Sequence, residues 1–197
     1  MTTNNNMKNL KTCIQLDPNR KIRIKLDVNA NILFVNNYFS EITKFKVSEI
    51  ILKDFTSILD EEMPKIAAKV ILDGLNKNKK SYQILKIKAK DSECFWSLVR
   101  GTQEFDNESY LKGFLLEGKM LPSTAIERIN KLHEVINEIE KNVGDKAAEK
   151  YLNGYLEEKN VSFNELILKM CEIDDKKADK YFEIDEDKVV KKKKGWF

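Results

Sequence analysis

The chain has 197 residues, of which 42% are hydrophobic and 34% charged, a size and composition that suit one domain with an appendage. Its 35 basic and 32 acidic residues leave a formal net charge of +3, which argues against a general nucleic-acid-binding protein. No apolar run approaches the roughly 20 residues of a membrane helix, and residues 1–6 fit neither a signal nor a transit peptide.

Three cysteines, Cys13, Cys94 and Cys171, are far apart in the chain and odd in number. Their spacing fits neither a metal-binding pair nor a disulfide framework. We therefore expect buried or unreactive thiols in a reducing compartment, no metal site, and a cytoplasmic protein.

Two short strands are predicted near the beginning of the chain. Residues 22–26 alternate apolar and charged side chains, which is the period of a half-buried strand. Residues 32–35 form a short apolar run, and the Asn-Ala-Asn segment before them supplies the turn of a hairpin. From Asn36 the two-residue period is lost, and the apolar spacing favours short helical turns.

A longer helix is predicted over residues 63–76, where Pro64 suits the first turn and acidic residues precede it. Polar turns then separate three further strands, at residues 81–88, 95–102 and 110–116. The resulting order, β-β-α-α-α-β-β-β, predicts an α+β fold: a five-stranded antiparallel sheet with short helices on one face, followed by a C-terminal helical extension.

Three segments of this region carry a resemblance to a known family. Asn36 and Phe39 form an Asn-x-x-Phe segment, residues 62–65 are Glu-Met-Pro-Lys, and residues 95–96 are Phe-Trp. Their order and spacing resemble the PAS domains of bacterial aerotaxis receptors over about residues 20–120. The resemblance implies a PAS-like sensor or relay rather than an enzyme, with a partner in a chemotaxis or two-component pathway.

This chain differs from that family at the positions where flavin-binding members hold their flavin. Flavin-binding members carry a tryptophan in the long helix, where this chain has Leu72. An Arg-His pair and a Lys-Asn pair are replaced by residues 59–60, Leu-Asp, and 86–87, Lys-Ile. The resemblance therefore implies no cofactor, and an FAD- or small-ligand-binding redox sensor is the alternative. Haem is not expected, because the only histidine, His133, falls in a later helix.

An apolar pocket between the sheet and its helices is the default ligand site of such a fold. Two interpretations stay open: the side chains close-pack into a dry core, or they surround a small apolar or weakly polar ligand. The sequence shows no nucleophile–base constellation, phosphate loop or metal spacing, so no catalytic residue is predicted. The predicted pocket residues are Phe34, Asn36, Phe39, Ile42, Ile71, Leu75, Leu85, Trp96 and Leu98.

The next third of the chain predicts helices. Residues 124–127, Thr-Ala-Ile-Glu, suggest a capping box that opens a helix ending near Gly144. Helices at residues 145–159 and 162–173 follow, the last opened by a second box, Ser-Phe-Asn-Glu. The first helix resembles the one that carries a signal away from a PAS sheet, and it either pairs with a second chain or folds back. Its predicted signalling residues are Ile126, Ile129, Leu132, Ile136 and Ile139.

The predicted organisation is a flexible arm at residues 1–19, the PAS-like domain at 20–120, the helical module at 121–173 and a disordered charged tail at 174–197. The tail is either a solvated end or a docking segment for a protein groove or an anionic membrane surface. Its predicted docking residues are Lys191, Lys192, Lys193, Lys194, Trp196 and Phe197. As a whole, we expect a homodimeric cytoplasmic relay without catalytic output, or alternatively an adaptor tethered by its tail.

Overall fold

The computed structural model describes residues 13–77 and 80–183. The strands of the described residues are β1 Ile22–Asp27, β2 Ile32–Val35, β3 Lys80–Lys88, β4 Cys94–Phe105 and β5 Leu111–Lys119. Their α-helices are α1 Asn37–Thr43, α2 Val47–Ile50, α3 Lys65–Lys77, α4 Ser123–Asn142, α5 Asp145–Lys159, α6 Phe163–Met170 and α7 Asp175–Glu183. A 3-10 turn lies at Phe55–Ile58.

The strands of the described residues form one sheet in the order β2-β1-β5-β4-β3, and every neighbouring pair is antiparallel. The early hairpin and the three later strands are joined by the pairing of β1 with β5. Helices follow the sheet in the chain, as the sequence predicted. The predicted α+β fold with a five-stranded antiparallel sheet is confirmed.

One face of the sheet, which we call the inner face, packs against helices α1 to α3. On β1 this face carries Ile22, Ile24 and Leu26, each buried, while the residues between them are half-buried. Two glutamines tie α3 to the same face: Gln83 donates to the carbonyl of Ala67 at 3.0 Å, and Gln103 donates to that of Leu75 at 2.7 Å. These bonds satisfy polar groups that would otherwise destabilise the core.

Gly101 of β4 allows α3 to approach the inner face closely. A Cβ at this position would lie 2.7 Å from Cδ2 of Leu75 and 3.1 Å from Cδ2 of Leu116. We expect Gly101→Ala to lower the free energy of unfolding by about 1–3 kcal/mol, because the added methyl must displace α3 or strain the core. Urea denaturation measures this loss.

The matched control for that substitution is Gly154→Ala in α5, where the added methyl would meet no atom within 4 Å. This variant is expected to be unchanged or more stable by up to about 1 kcal/mol, since alanine favours a helix over glycine. Equal stability of the two variants would contradict close packing between α3 and the sheet.

The opposite face, which we call the outer face, is covered by the C-terminal helices. The ring of Trp96 stacks on His133 of α4, with ring centres 6.0 Å apart. The ring of Tyr82 contacts Phe182 of α7, with centres 6.4 Å apart. The predicted helical extension is therefore a second layer of helices against the outer face, and it does not project away from the sheet.

Strand β3 lies at one edge of the sheet, and its free backbone groups are covered by side chains and by a passing loop. The side chain of Asn164 in α6 accepts from the N–H of Tyr82 at 2.9 Å. Farther along, the N–H of Asp60 donates to the carbonyl of Lys86 at 2.9 Å. Such covering protects an edge strand from pairing with another chain.

The two predicted capping boxes have different outcomes. Helix α4 begins at Ser123 with Pro122 as its N-cap, and this cap makes no side-chain hydrogen bond. The prediction that Thr124 caps this helix is therefore wrong, because the N-cap is Pro122, two residues earlier, and Thr124 lies within the first turn. The second box is confirmed: the carboxylate of Glu165 accepts from the N–H of Ser162 at 2.7 Å.

The predicted disorder after Ile173 is wrong for residues 175–183, which form α7. Ala178 and Phe182 of this helix are fully buried. Two buried apolar residues are too few to give a recognisable helical period, and the outer face supplies their packing partners. Residues 184–197, with the predicted docking residues of the tail, lie outside the described residues.

The expectation of free thiols is wrong for two of the three cysteines. Cys13 and Cys94 form a disulfide between residues 81 positions apart, whereas Cys171 is free and buried. A separation of that length leaves no local sequence signal. Part of the predicted flexible arm, residues 13–19, is thereby attached to the sheet, and Leu16 is buried. The cysteine pattern therefore no longer supports the expected reducing compartment.

Within residues 13–77 and 80–183, no helix combines the length and the apolar character needed to cross a bilayer.

Candidate functional site

The predicted pocket residues are divided by the sheet. Four of them lie together in the inner core and are fully buried: Phe39, Ile71, Leu75 and Leu85. Ile42 packs against the same core and is half-buried. These side chains form part of one continuous hydrophobic cluster.

Three other predicted pocket residues do not belong to the inner core. Leu98 pairs with Lys119 across the strands and Trp96 contacts α4, so both side chains lie on the outer face. Phe34 is 44% exposed opposite Lys25. The β1–β2 register shifts between Lys25 and Leu26, next to this pair, which interrupts the regular alternation of side chains between the two faces. The prediction of one pocket lined by all of these residues is therefore wrong, because successive strand residues face opposite sides.

Asn36 has a structural role that accounts for the Asn-x-x-Phe segment. Its side-chain oxygen accepts from the N–H of Arg23 at 3.0 Å and from that of Phe39 at 3.3 Å. The amide nitrogen donates to the carbonyl of Lys21 at 2.9 Å. Asn36 thus caps α1 and holds it against β1, and this leaves little of its amide for a ligand.

A surface cleft of about 320 Å³ lies between α3, α5 and α6. Apolar Val70, Leu152 and Phe163 line it together with the carboxylates of Asp73 and Glu149. None of the predicted pocket residues contributes to this cleft. No group of three or more His, Cys, Asp or Glu side chains within the described ranges is placed to hold a metal ion.

Helix α4 turns the predicted signalling residues toward its own chain. Ile129, Leu132 and Ile136 are buried, while Ile126 and Ile139 are half-buried and pack against the same core. Of the two arrangements considered for this helix, the structure shows it folded back on its own chain.

Two side chains of α4 contact the loop and helix of the inner layer. The carboxylate of Glu140 accepts from the backbone N–H groups of Lys65 and Ile66, at 3.1 Å and 3.0 Å. These N–H groups belong to the first turn of α3, where helical donors have no partner within the helix and where negative charge is favourable. The side chain of Asn137 donates to the carbonyl of Glu62 at 2.7 Å. We call this set the α3–α4 link.

The link connects α4 of the outer layer with α3 of the inner layer, in addition to the contact that α3 makes with α5 through Lys69 and Glu149 at 2.8 Å. Helix α3 packs on the inner face and α4 on the outer face, and the contact is made beside the free edge of β3. Glu140 was not predicted from the sequence, because it is one of many acidic residues on a charged helix and nothing local distinguishes it.

His133 lies buried between α4 and the sheet, with 4% of its surface exposed. Its Nδ1 atom has no hydrogen-bond partner among the residues that the structure describes. Burial lowers the pKa of His133 from 6.5 to about 4, so the ring is neutral at pH 7. The neighbouring Trp96 ring also contacts the ammonium of Lys86, 5.7 Å from its centre.

A buried charge cluster lies farther along the outer face. Glu117, only 8% exposed, contacts Lys21 at 2.7 Å, Arg100 at 2.5 Å and Arg23 at 3.5 Å. Burial would raise the pKa of Glu117, but the hydrogen bonds from Lys21 and Arg100 outweigh it and hold that pKa below its usual value. Burial in turn lowers the pKa of Lys21 despite the attraction of Glu117.

These features define an α+β domain with helices on both faces of an antiparallel sheet and a contact that joins the two helical layers around one edge. Comparisons with models of known protein families and with curated protein sequences found no match to the chain.

Proposed function

We propose that the chain is a PAS-type sensor or relay without catalytic output, which acts on other proteins through its C-terminal helices. The β-β-α-α-α-β-β-β order of residues 22–119 supports the PAS resemblance, as does the Asn-x-x-Phe segment that caps the first helix. Its partner is a protein of a chemotaxis or two-component pathway, and its working form is a homodimer.

The α3–α4 link is the observation that carries this proposal. A relay requires a continuous physical connection between the element that senses and the element that responds. Ile71 and Leu75 of α3 lie in the inner core, and the first turn of the same helix is bonded to Glu140 of α4. A ligand or partner that moves α3 therefore also moves α4.

A small change in the inner core is expected to raise the amide hydrogen exchange of α4 only when the α3–α4 link is intact. Ile71→Val removes one methyl group from the core at a cost of about 0.5–1.5 kcal/mol. We expect faster amide hydrogen exchange in the last two turns of α4 in this variant, because α3 shifts and weakens its bonds with Glu140. The same core change placed in a Glu140→Ala background is expected to leave α4 exchange unchanged.

Glu138→Ala is the matched control, because Glu138 lies on the same helix and is exposed. In that background the response of α4 to Ile71→Val should persist. Glu140→Ala by itself should lower the free energy of unfolding by about 1 kcal/mol, as for the loss of a helix cap. If Ile71→Val alone leaves the amide hydrogen exchange of α4 unchanged, the relay proposal is wrong.

A further inference from the structure

The last turn of α7 ends on a cluster of buried cations on the outer face. We call this cluster the socket; it consists of Lys21, Arg100 and Lys119 with the carboxylate of Glu117. Lys21 and Lys119 are 2% and 0% exposed, which is rare for lysine.

Both lysines donate to carbonyl groups at the C-terminal end of α7. The ammonium of Lys21 contacts the carbonyl of Phe182 at 2.5 Å, and that of Lys119 contacts the carbonyl of Tyr181 at 3.1 Å. The socket thus places two buried ammonium groups on carbonyls of the last described turn of α7.

An aromatic ring and a carboxylate complete the contact. The ring of Phe182 lies 4.7 Å from the guanidinium carbon of Arg100, in a cation–π arrangement, and is fully buried. One turn earlier, Asp179 accepts from Lys80 at 2.9 Å and approaches Arg100 at 3.5 Å. Helix α7 is therefore held by polar contacts and by two rings, because Tyr181 also packs against the core and its hydroxyl donates to the carbonyl of Met120.

The sheet residues of the socket are positioned independently of α7. Arg100 and Glu117 are paired across β4 and β5, and Glu117 also pairs with Arg23 of β1. Without α7, the cations Lys21, Arg23, Arg100 and Lys119 would still outnumber the carboxylates that act on them, Glu117 and Asp17. A preformed site with a surplus of positive charge would then face solvent.

We propose that α7 is a strap that occupies a binding site on the outer face and opens independently of the sheet. The open site fits a peptide with the chemistry of α7 itself: an aromatic residue, a carboxylate three positions before it, and accepting backbone carbonyls at the aromatic residue and at the residue before it. Occupation by α7 is then autoinhibitory, because it covers the socket. This inference stands whether or not the domain is a sensor.

Hydrogen exchange of the full chain tests the strap. Amides of α7 are expected to exchange at least about tenfold faster than those of β4, as for a unit that opens locally. Phe182→Ala should raise the amide exchange rate of α7 by a further tenfold or so while β4 and α6 stay unchanged, because it removes the fully buried ring of this helix. Tyr151→Ala, which truncates a partly exposed aromatic in α5, is the control and should leave α7 unaffected.

A second variant tests the same prediction in case Phe182→Ala unfolds the whole chain. Lys119→Met keeps the side-chain length and removes the ammonium that donates to Tyr181. It should also raise the amide exchange rate of α7 without raising that of β4. Exchange of α7 and β4 at one common rate, in the unchanged chain and in both variants, would overturn the proposal.

A synthetic peptide of residues 174–183 then probes the site directly. Calorimetric titration should show binding to the Phe182→Ala chain at least about tenfold tighter than to the unchanged chain, where the tethered α7 competes. Equal binding to both chains, or no binding to a Phe182→Ala chain whose α7 exchanges freely, would show that the socket is no peptide site.

Discussion

Glu117→Gln is expected to lower the free energy of unfolding by about 3–5 kcal/mol at pH 7. The substitution preserves the shape of the side chain and removes its charge. Lys21 and Arg100 would then remain buried on the outer face without the carboxylate that they share at 2.7 Å and 2.5 Å. A buried cation that loses its partner is strongly destabilising, because neither water nor another charge replaces the lost interaction.

The control for this prediction is Glu104→Gln, on a neighbouring part of the outer face. Glu104 pairs with Lys25 at 2.8 Å, but their side chains are 32% and 45% exposed. Exposed pairs contribute about 0–1 kcal/mol, so this variant should be nearly as stable as the unchanged chain. Urea denaturation of the two variants side by side measures the difference. A Glu117→Gln loss no larger than that of Glu104→Gln would contradict a buried, tightly coupled cluster.

Acidification from pH 6.5 to about pH 4 is expected to lower the free energy of unfolding by about 3 kcal/mol through His133 alone. The folded-state pKa of about 4 lies below the value of 6.5 in the unfolded chain. The unfolded chain therefore binds a proton first as the pH falls. Stability from the neutral ring is fully present above pH 6.5 and is lost progressively down to about pH 4.

His133→Phe should remove this dependence and leave a ring against Trp96. Because His133 is the only histidine of the chain, no other histidine contributes in this pH window. Carboxylates with lowered pKa values, such as Glu117, weaken the fold at still lower pH. Denaturation curves at several pH values compare the two chains. Identical pH profiles would show that His133 is hydrated or paired in solution.

Local patterns predicted most of the first 120 residues. The alternation of residues 22–26 placed β1 correctly, and the capping box at Ser162 placed the beginning of α6. Each of these signals depends on residues within about one helical turn or one strand. Element boundaries differ by up to three residues, because helix and strand ends depend on neighbours elsewhere in the chain.

Long-range contacts explain what the sequence analysis missed. Cys13 pairs with Cys94, Glu140 caps α3, and Lys21 holds the end of α7. Each contact joins residues that are at least about 75 positions apart, and none leaves a periodic pattern. Helix α7 shows this most clearly: a charged segment that resembles a disordered tail is ordered by lysines of the sheet.

The amino-acid sequence by itself determined the order of strands and helices as far as α6 and the strand alternation of β1, since a strand presents successive side chains to opposite sides. Only the tertiary structure decided what covers each face. It placed α4 and α7 on the outer face, placed α6 beside the edge of β3, and bonded α4 to α3. Those choices rest on hydrogen bonds and charge pairs between distant residues, and such pairs form only after the chain has brought their partners together.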